Sequence, residues 1–425
     1  MKIVILGFGR EGKAVFKFLK HSPEYKKAEF FILDQKLDKN YLLNLDQFDI
    51  VFRSPGIPYN LPEIQNAIKK GVIFSSATDL FFKNVKKIGC KIIGITGTKG
   101  KGTTSTLLYK ILKAVGKDIY LAGNIGKPAV EILPKLNKKS IVIFELSSFQ
   151  LQDLKHSPDI AVVLNIFEDH LDSHKNFKEY IGAKANIAKW QKKSDKIFYD
   201  ASNKWSFWIA QKSLGKKIAV STNDFKLFKP QNLKIIGKHN FKNAVIAAII
   251  AQSLGIKPEI IKKTAQNYCG MEHRLEFIKK SSSINFYNDS ASTNPYTAAA
   301  AVSAFPNQLK ILIAGGKDKN LDYTPLAKAL GNSNTKLIIL FGENKEKIKK
   351  AINRQKIIIK EVKSLQQAVS LAYKTAKSLV ASGYTLNPII IFSPASASFD
   401  MFKDYKDRGK KFKKIVKVEI NKKLL

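Results

Sequence analysis

Arginine is scarce in this chain: five residues (Arg10, Arg53, Arg274, Arg354 and Arg408) among 73 basic and 34 acidic side chains in 425 residues. A formal net charge of +39 ordinarily points to nucleic acid, because clustered cations release counterions from phosphates. Here the lysines run the whole length, and no arginine cluster or aromatic stripe accompanies them. A nucleic-acid-dependent ATPase is thereby disfavoured, and most of the charge reads as a solvated lysine surface. Because guanidinium forks suit phosphate and carboxylate better than ammonium groups do, the few arginines become candidates for anion contacts. Cysteine is equally sparse. Cys90 and Cys269 form neither a metal-ligand spacing nor a disulfide framework, which fits a reducing cytoplasm. No apolar run approaches the roughly 18 residues needed to span a membrane. The opening MKIVILGFGREG has only a short apolar run before glycines and charges, so it reads as a first strand and not a signal peptide. Internal repeats and low-complexity linkers are absent too.

What is present, 44% hydrophobic and 25% charged residues, suits a globular protein of two to four domains, with three as the working number. Residues 1–85 read as a small α/β unit, with strands at 2–6, 29–33, 49–52 and 72–74. A central unit, 86–270, holds strands at 91–96, 140–146 and 161–166, and a small β excursion is expected in DFKLFKPQNLKIIGKHN. A third unit, 271–425, alternates strands at 311–315, 336–342 and 388–393 with lysine-rich helices, the pattern of a doubly wound parallel sheet.

Three loops carry the chemistry. Gly7-Phe8-Gly9-Arg10-Glu11-Gly12 follows a strand and opens a helix, and Asp34 ends the next strand. This is a dinucleotide-type fingerprint. The unit is short for a nicotinamide dinucleotide, which leaves that cofactor open beside a nucleotide-sugar diphosphate held by the same helix terminus. Arg53-Ser54-Pro55-Gly56 also follows a strand, as a ligand loop or an ordinary turn. Gly97-Thr98-Lys99-Gly100-Lys101-Gly102-Thr103-Thr104 lies between strand and helix, where backbone amides and the helix dipole cradle phosphates. It departs from G-x-x-x-x-G-K-[ST]: Gly94 is one residue too early and Gly102 follows the lysine. The lysine role falls to Lys101 and the Mg²⁺ hydroxyl to Thr103. Glu145 ends a strand near this loop, a suitable place for a Mg²⁺ ligand. Asn165-Ile-Phe-Glu168-Asp169-His170-Leu-Asp172-Ser-His174 gathers acids and histidines after another strand, suited to a second cation or to positioning a nucleophile. Nothing local distinguishes Lys184.

Taken in order, GTKGKGTT, ELSSFQL, NIFEDHLDSH, GKHNFKNA, MEHRLE, NDSASTNP and SPASASFD resemble the Mur ligase family of ATP-dependent amide-bond-forming enzymes. The fold so implied is three α/β domains: a Rossmann-like N-terminal domain, a central ATPase domain with a mostly parallel sheet, and a Rossmann-like C-terminal domain. By the same resemblance, Gly97, Thr98, Lys99, Gly100, Lys101, Gly102 and Thr103 would hold ATP phosphates. Thr103, Glu145, His170 and a carbamylated Lys184 would bind two Mg²⁺. Asn240 and Asn243 would face adenine, Arg274 would reach the γ-phosphate, and Asp289 would join the ATP site. Gly9, Arg10, Asp34, Gln35, Ser54, Gly56, Asn124, Ser147 and Gln150 would bind the uridine-diphosphate substrate. Thr293, Lys319, Ser398, Phe399 and Tyr405 would surround the amino acid.

ELSSFQL and SPASASFD are most similar to members that add D-glutamate to UDP-N-acetylmuramoyl-L-alanine. A cytoplasmic monomer without nucleic-acid partner or membrane insertion is expected. Two departures keep alternatives open. Ala291 stands where the D-glutamate enzymes often carry lysine, which leaves L-glutamate open. Gly102 resembles folylpolyglutamate synthases, although those begin close to their phosphate loop and this chain places a complete α/β unit before it.

Overall fold

Short runs of Val, Ile, Leu and Phe without polar alternation form strands covered on both faces, the condition for parallel sheets. The computed structural model describes residues 1–123, 128–168, 174–352, 357–382 and 387–421, in which three such sheets follow one another. The first contains β1 (Lys2–Leu6), β2 (Glu29–Leu33), β3 (Ile50–Arg53) and β4 (Ile73–Ser75), all parallel in the order β2-β1-β3-β4. Ile3 to Leu6 are fully buried, with Ile3 and Ile5 facing one apolar cluster and Val4 and Leu6 another.

The second sheet contains β5 (Lys91–Thr96), β6 (Ile119–Gly123), β7 (Ile141–Glu145), β8 (Ile160–Val163), β9 (Lys196–Asp200) and β10 (Lys216–Val220). Its order is β10-β9-β8-β5-β7-β6, parallel throughout. Strand order reverses at β5, so the crevice beyond its carboxyl end is the switch point where such sheets bind ligands. The third sheet contains β11 (Glu276–Ser281), β12 (Ile284–Asn288), β13 (Lys310–Ala314), β14 (Thr335–Leu340), β15 (Ile358–Glu361) and β16 (Ile389–Phe392). Its order is β11-β12-β16-β13-β14-β15, and only β11 runs antiparallel, in a hairpin with β12.

The chain divides into two compact units. Met1–Phe228 with Lys242–Ala265 carry the first two sheets, and Lys229–Phe241 with Gln266–Leu425 carry the third. Within the first unit one apolar cluster is continuous from Ile5 and Phe52 through Phe81 to Phe144. The buried Arg53 guanidinium crosses from the first sheet to Asp153 at 3.0 Å and also donates to the Ile57 carbonyl at 2.6 Å. The β excursion expected around 224–240 is not seen: residues 221–237 hold one short 3₁₀ turn, Pro230–Asn232, and no strand. Pro230 lacks the amide donor that a ladder requires.

Lys310 begins β13 fully buried, and its Nζ donates to the Gln308 carbonyl at 2.9 Å. Burial lowers its pKa from 10.5 to about 8. Below that value the folded state keeps a desolvated ammonium. Between pH 8 and 10.5 the unfolded chain binds more protons, so stability rises with pH. Lys310→Met should therefore raise the unfolding free energy at pH 7 by about 2–3 kcal/mol, with the gain shrinking toward pH 10 in urea titrations. An equal or lower stability at pH 7 would contradict this account.

Candidate active site

The loop after β5 is held open by two glycines. Gly97 has φ +155° and Gly100 has φ +88°, and a Cβ on Gly100 would collide with the Asn243 side-chain amide. The helix Lys101–Lys113 starts directly behind it, so its first amides point toward the loop. Two side-chain ammonium groups converge on one loop carbonyl: Lys101 Nζ donates to Gly97 O at 2.9 Å, and Lys184 Nζ donates to the same oxygen at 3.0 Å. Lys101 also donates to Thr98 O at 3.1 Å. Lys184 is 1% exposed, on the inner face of the helix Phe177–Lys189, and its Nζ lies 4.7 Å from the Tyr180 ring centroid. Tyr180 is one turn earlier, so 3.6-residue periodicity puts both on one face.

Thr98 fastens the segment after β8 to this loop. Its amide donates to Asn165 O at 2.9 Å, its hydroxyl bonds to Phe167 O at 3.1 Å, and Phe167 N donates to it at 3.1 Å. Tyr180 OH lies 3.0 Å from the same hydroxyl. Glu145, 3% exposed, ends β7 beside β5. Lys101, Thr103, Glu145, Lys184 and the segment 164–168 thus come from the carboxyl ends of β5, β7 and β8 and the helices that follow. His170 lies outside the described residues. His174 stacks on Phe149 at 5.3 Å, with Nε2 3.0 Å from Ser148 Oγ.

At the first sheet, Asp34 accepts from the Phe8 amide at 2.6 Å and the Lys36 amide at 2.9 Å, and these bonds hold its carboxyl below the usual range. Ser54 Oγ donates to Gly7 O at 2.7 Å, so both residues brace the glycine loop. Gly9 and Gly56 each have open space where a side chain would stand. Gln35 and the glycine-flanking Arg10 are exposed. Ser147 and Gln150 form a capping box, and Gln150 Nε2 also donates to Glu11 Oε1 at 3.2 Å. Asn124 is outside the described residues.

The second unit gathers its motifs at the carboxyl ends of β12, β16 and β13. Arg408, fully buried, clamps two of them. It donates to Ser290 O and Ser396 O, both at 2.9 Å, to Ala397 O at 3.1 Å, and from Nε to Ser290 Oγ at 3.1 Å. Burial lowers its pKa to about 10, so it remains charged at neutral pH. Asn344, also buried, accepts from Gly316 N at 2.9 Å and donates to Tyr323 OH and Ser396 Oγ. Arg408, one of the scarce arginines expected at anion contacts, binds backbone carbonyls instead, and Asn344 carries no signal in the sequence.

Arg274 is presented on a turn with His273 at φ +65° and Leu275 at φ +41°, a conformation that non-glycine residues adopt only when held. The turn is tied down by Leu275 N donating to Asp289 Oδ1 at 3.1 Å and by Asn288 Nδ2, 2.9 Å from His273 Nδ1. Ser398 is buried, while Lys319 and Phe399 are exposed and Thr293 is half-buried. Tyr405 accepts from Ser290 Oγ at 2.8 Å through its carbonyl. Asn240 and Asn243 share the helix Lys238–Ser253, but Asn240 donates to Ile236 O at 2.7 Å whereas Asn243 packs on Gly100.

Two family models match in chain order: the Mur ligase middle domain over residues 95–232, and the Mur ligase glutamate ligase domain over 273–382. The UDP-N-acetylmuramoylalanine–D-glutamate ligase of Aquifex aeolicus is 36% identical over 430 residues, covering 98% of this chain and 99% of that protein. The chain belongs to the Mur ligase family. The enzyme of the same name from Acetivibrio thermocellus is 35% identical over 409 residues, covering 89% and 85%. The fold is similar to that of the MurF ligase of Thermotoga maritima solved with ADP, with a TM-score of 0.56 at 14% identity and coverage of 99% and 95%.

Among the described residues no group of three or more His, Cys, Asp or Glu could cage a metal in this Mur ligase. A cation at the loop would draw on the Glu145 carboxylate and the Thr103 hydroxyl and complete its shell with phosphate and water, which is how Mg²⁺ is usually held. These oxygens are a donor set of the kind Mg²⁺ takes. Lys184 joins it only if its amine becomes an oxygen ligand.

Asp289, buried at the root of the arginine turn, has its pKa lifted to about 7 by burial, against the opposing effects of Ser393, the Leu275 amide, Arg274 and Arg408. The folded state therefore keeps a proton between pH 4 and 7 that the unfolded chain has lost, and stability falls as pH rises through that window. Asp289→Asn should remove a fall on the order of 2–4 kcal/mol, read from urea midpoints at pH 5 and 8. An unchanged difference between those midpoints would contradict it. Arg408→Lys, which cannot span three carbonyls, should lower stability by about 2–4 kcal/mol. Wild-type thermal stability in that variant would show the clamp to be dispensable.

Proposed function

We propose that this protein is an ATP-dependent ligase that adds D-glutamate to UDP-N-acetylmuramoyl-L-alanine in peptidoglycan precursor synthesis. The observation that carries the reading is the end-to-end similarity to D-glutamate ligases, joined to a phosphate loop at the switch point of the central sheet. The alanyl carboxylate attacks the γ-phosphate of ATP, giving an acyl phosphate and ADP. The glutamate amine then attacks the acyl carbon and phosphate leaves.

Catalysis by the chain's own residues is mostly positioning and charge neutralisation. On phosphate binding, Lys101 turns from the loop carbonyls to the phosphates, and Arg274 meets the γ-phosphate. Gly97 to Thr103 supply amides and a hydroxyl. Bound Mg²⁺ supplies further neutralisation of the phosphate oxygens, with Thr103, Glu145 and His170 as its holders. A carbamylated Lys184 adds anionic oxygens for a second ion. Asn240 and Asn243 serve the nucleotide. Gly9, Arg10, Asp34 and Ser54 serve the uridine diphosphate, and Thr293, Lys319, Ser398 and Phe399 the amino acid.

Purified protein given ATP, Mg²⁺, UDP-N-acetylmuramoyl-L-alanine and D-glutamate should release ADP and phosphate only when all are present. ADP release indifferent to the amino acid would sink the proposal, and preference for L-glutamate in the same assay would reassign the substrate. Lys184→Ala should lose at least about 10²-fold in kcat, the scale of removing a charge-stabilising group. A short-chain carboxylic acid should restore part of it. Full activity without rescue would refute the carbamate role.

A further inference from the structure

All three tryptophans of the chain, Trp190, Trp205 and Trp208, fall within 19 consecutive positions of the first compact unit. None is part of the site above. The helix Lys204–Ala210 buries Ser206, Ile209 and Ala210. Its opposite face carries Lys204, Phe207, Trp208 and the following Gln211, at the i, i+3, i+4 and i+7 spacing of one exposed stripe. Phe207 is 49% exposed and Trp208 39%.

Two adjoining loops extend the patch. Ser213 Oγ donates to Gln191 Oε1 at 2.7 Å, and Gly215 lies against the carbonyls of Lys192 and Asp195, so the 190–195 and 211–216 loops are neighbours. Each carries an exposed apolar side chain, Trp190 at 50% and Leu214 at 68%. The surround is cationic: residues 189–217 contain eight lysines and two acids. Asp195 is turned inward to accept from the Lys192 amide, and Asp200 is buried and paired with Lys242. Lys212 Nζ sits 4.5 Å from the Trp208 ring centroid, which places a cation directly at the aromatic surface.

Exposed rings and a leucine ringed by lysines would cost solvation in water with no return. At a bilayer surface the same set is favourable, because indoles and apolar side chains enter the headgroup boundary while the ammonium groups meet anionic lipid. We propose that the Trp190, Phe207, Trp208 and Leu214 face is a peripheral docking surface for an anionic lipid bilayer. Charge complementarity selects this occupant over neutral lipid, and the aromatic stripe selects it over a simple polyanion. No helix of the described residues is long and apolar enough to cross a membrane, so the contact would be interfacial and reversible.

The placement of the tryptophans makes the test direct, since all intrinsic indole fluorescence arises from this region. The full chain is mixed with vesicles of phosphatidylcholine containing about 30 mol% phosphatidylglycerol, and with phosphatidylcholine alone. Expected are co-sedimentation and a blue-shifted emission with the anionic vesicles only, quenching by brominated acyl chains, and at least fivefold weaker binding when salt is raised about tenfold. Phe207→Ser/Trp208→Ser should weaken partitioning tenfold or more. Its ligase turnover should stay at the wild-type level, which separates this proposal from the assigned activity and shows that the variant is folded.

Vesicle binding without a blue shift would overturn the proposal by assigning attraction to the general lysine surface. No vesicle binding would overturn it outright. A blue shift produced by an oligonucleotide, or by raising protein concentration without lipid, would overturn it in favour of nucleic acid or self-association.

Discussion

One carbonyl oxygen, that of Gly97, receives both the Lys101 and the Lys184 ammonium groups. The loop must turn that carbonyl inward while leaving its amides available, which requires backbone angles that glycine alone adopts freely. Beside it the buried Thr98 binds the segment after β8 through its hydroxyl and amide. Loop, buried lysine helix and the Asn165–Phe167 stretch are thereby fastened together.

The second unit solves a similar problem with one guanidinium. Ser290, Ser396 and Ala397 follow two different strands, and their carbonyls would be expensive to bury without donors. Arg408 supplies them in the fixed fork that lysine lacks. Asn344 ties two of the same segments together, its side chain accepting from the Gly316 amide and donating to the Ser396 hydroxyl. Arg274 is thus displayed on a strained turn whose supports, Asn288 and Asp289, belong to the clamped segment.

Much of the fold was legible in the sequence because buried parallel strands are uninterrupted apolar runs: KIVIL, EFFIL and KIIGIT are strands from first residue to last. The phosphate loop was legible because its glycines sit between strand and helix. The β11–β12 hairpin was less so, since its half-exposed β11 reads like a lysine-rich loop. Arg408 was legible as a scarce arginine, but its role as a carbonyl clamp was not. It sits in a helix full of lysines, and its partner Ser290 is 118 residues away. Asp34 shows the limit of motif reading: the expected ribose acid also braces the glycine loop through the Phe8 amide. The aromatic face at 190–214 carries no motif at all and is defined only by which side chains the fold leaves exposed.

In the proposed reaction the Gly97–Thr103 loop serves to activate a carboxylate by phosphorylation. The most direct measurement follows oxygen. With UDP-N-acetylmuramoyl-L-alanine labelled with ¹⁸O in its alanyl carboxylate, one labelled oxygen should appear in the inorganic phosphate released during turnover with D-glutamate. Label retained wholly in the product and water, or found in AMP, would contradict an acyl-phosphate route through this loop.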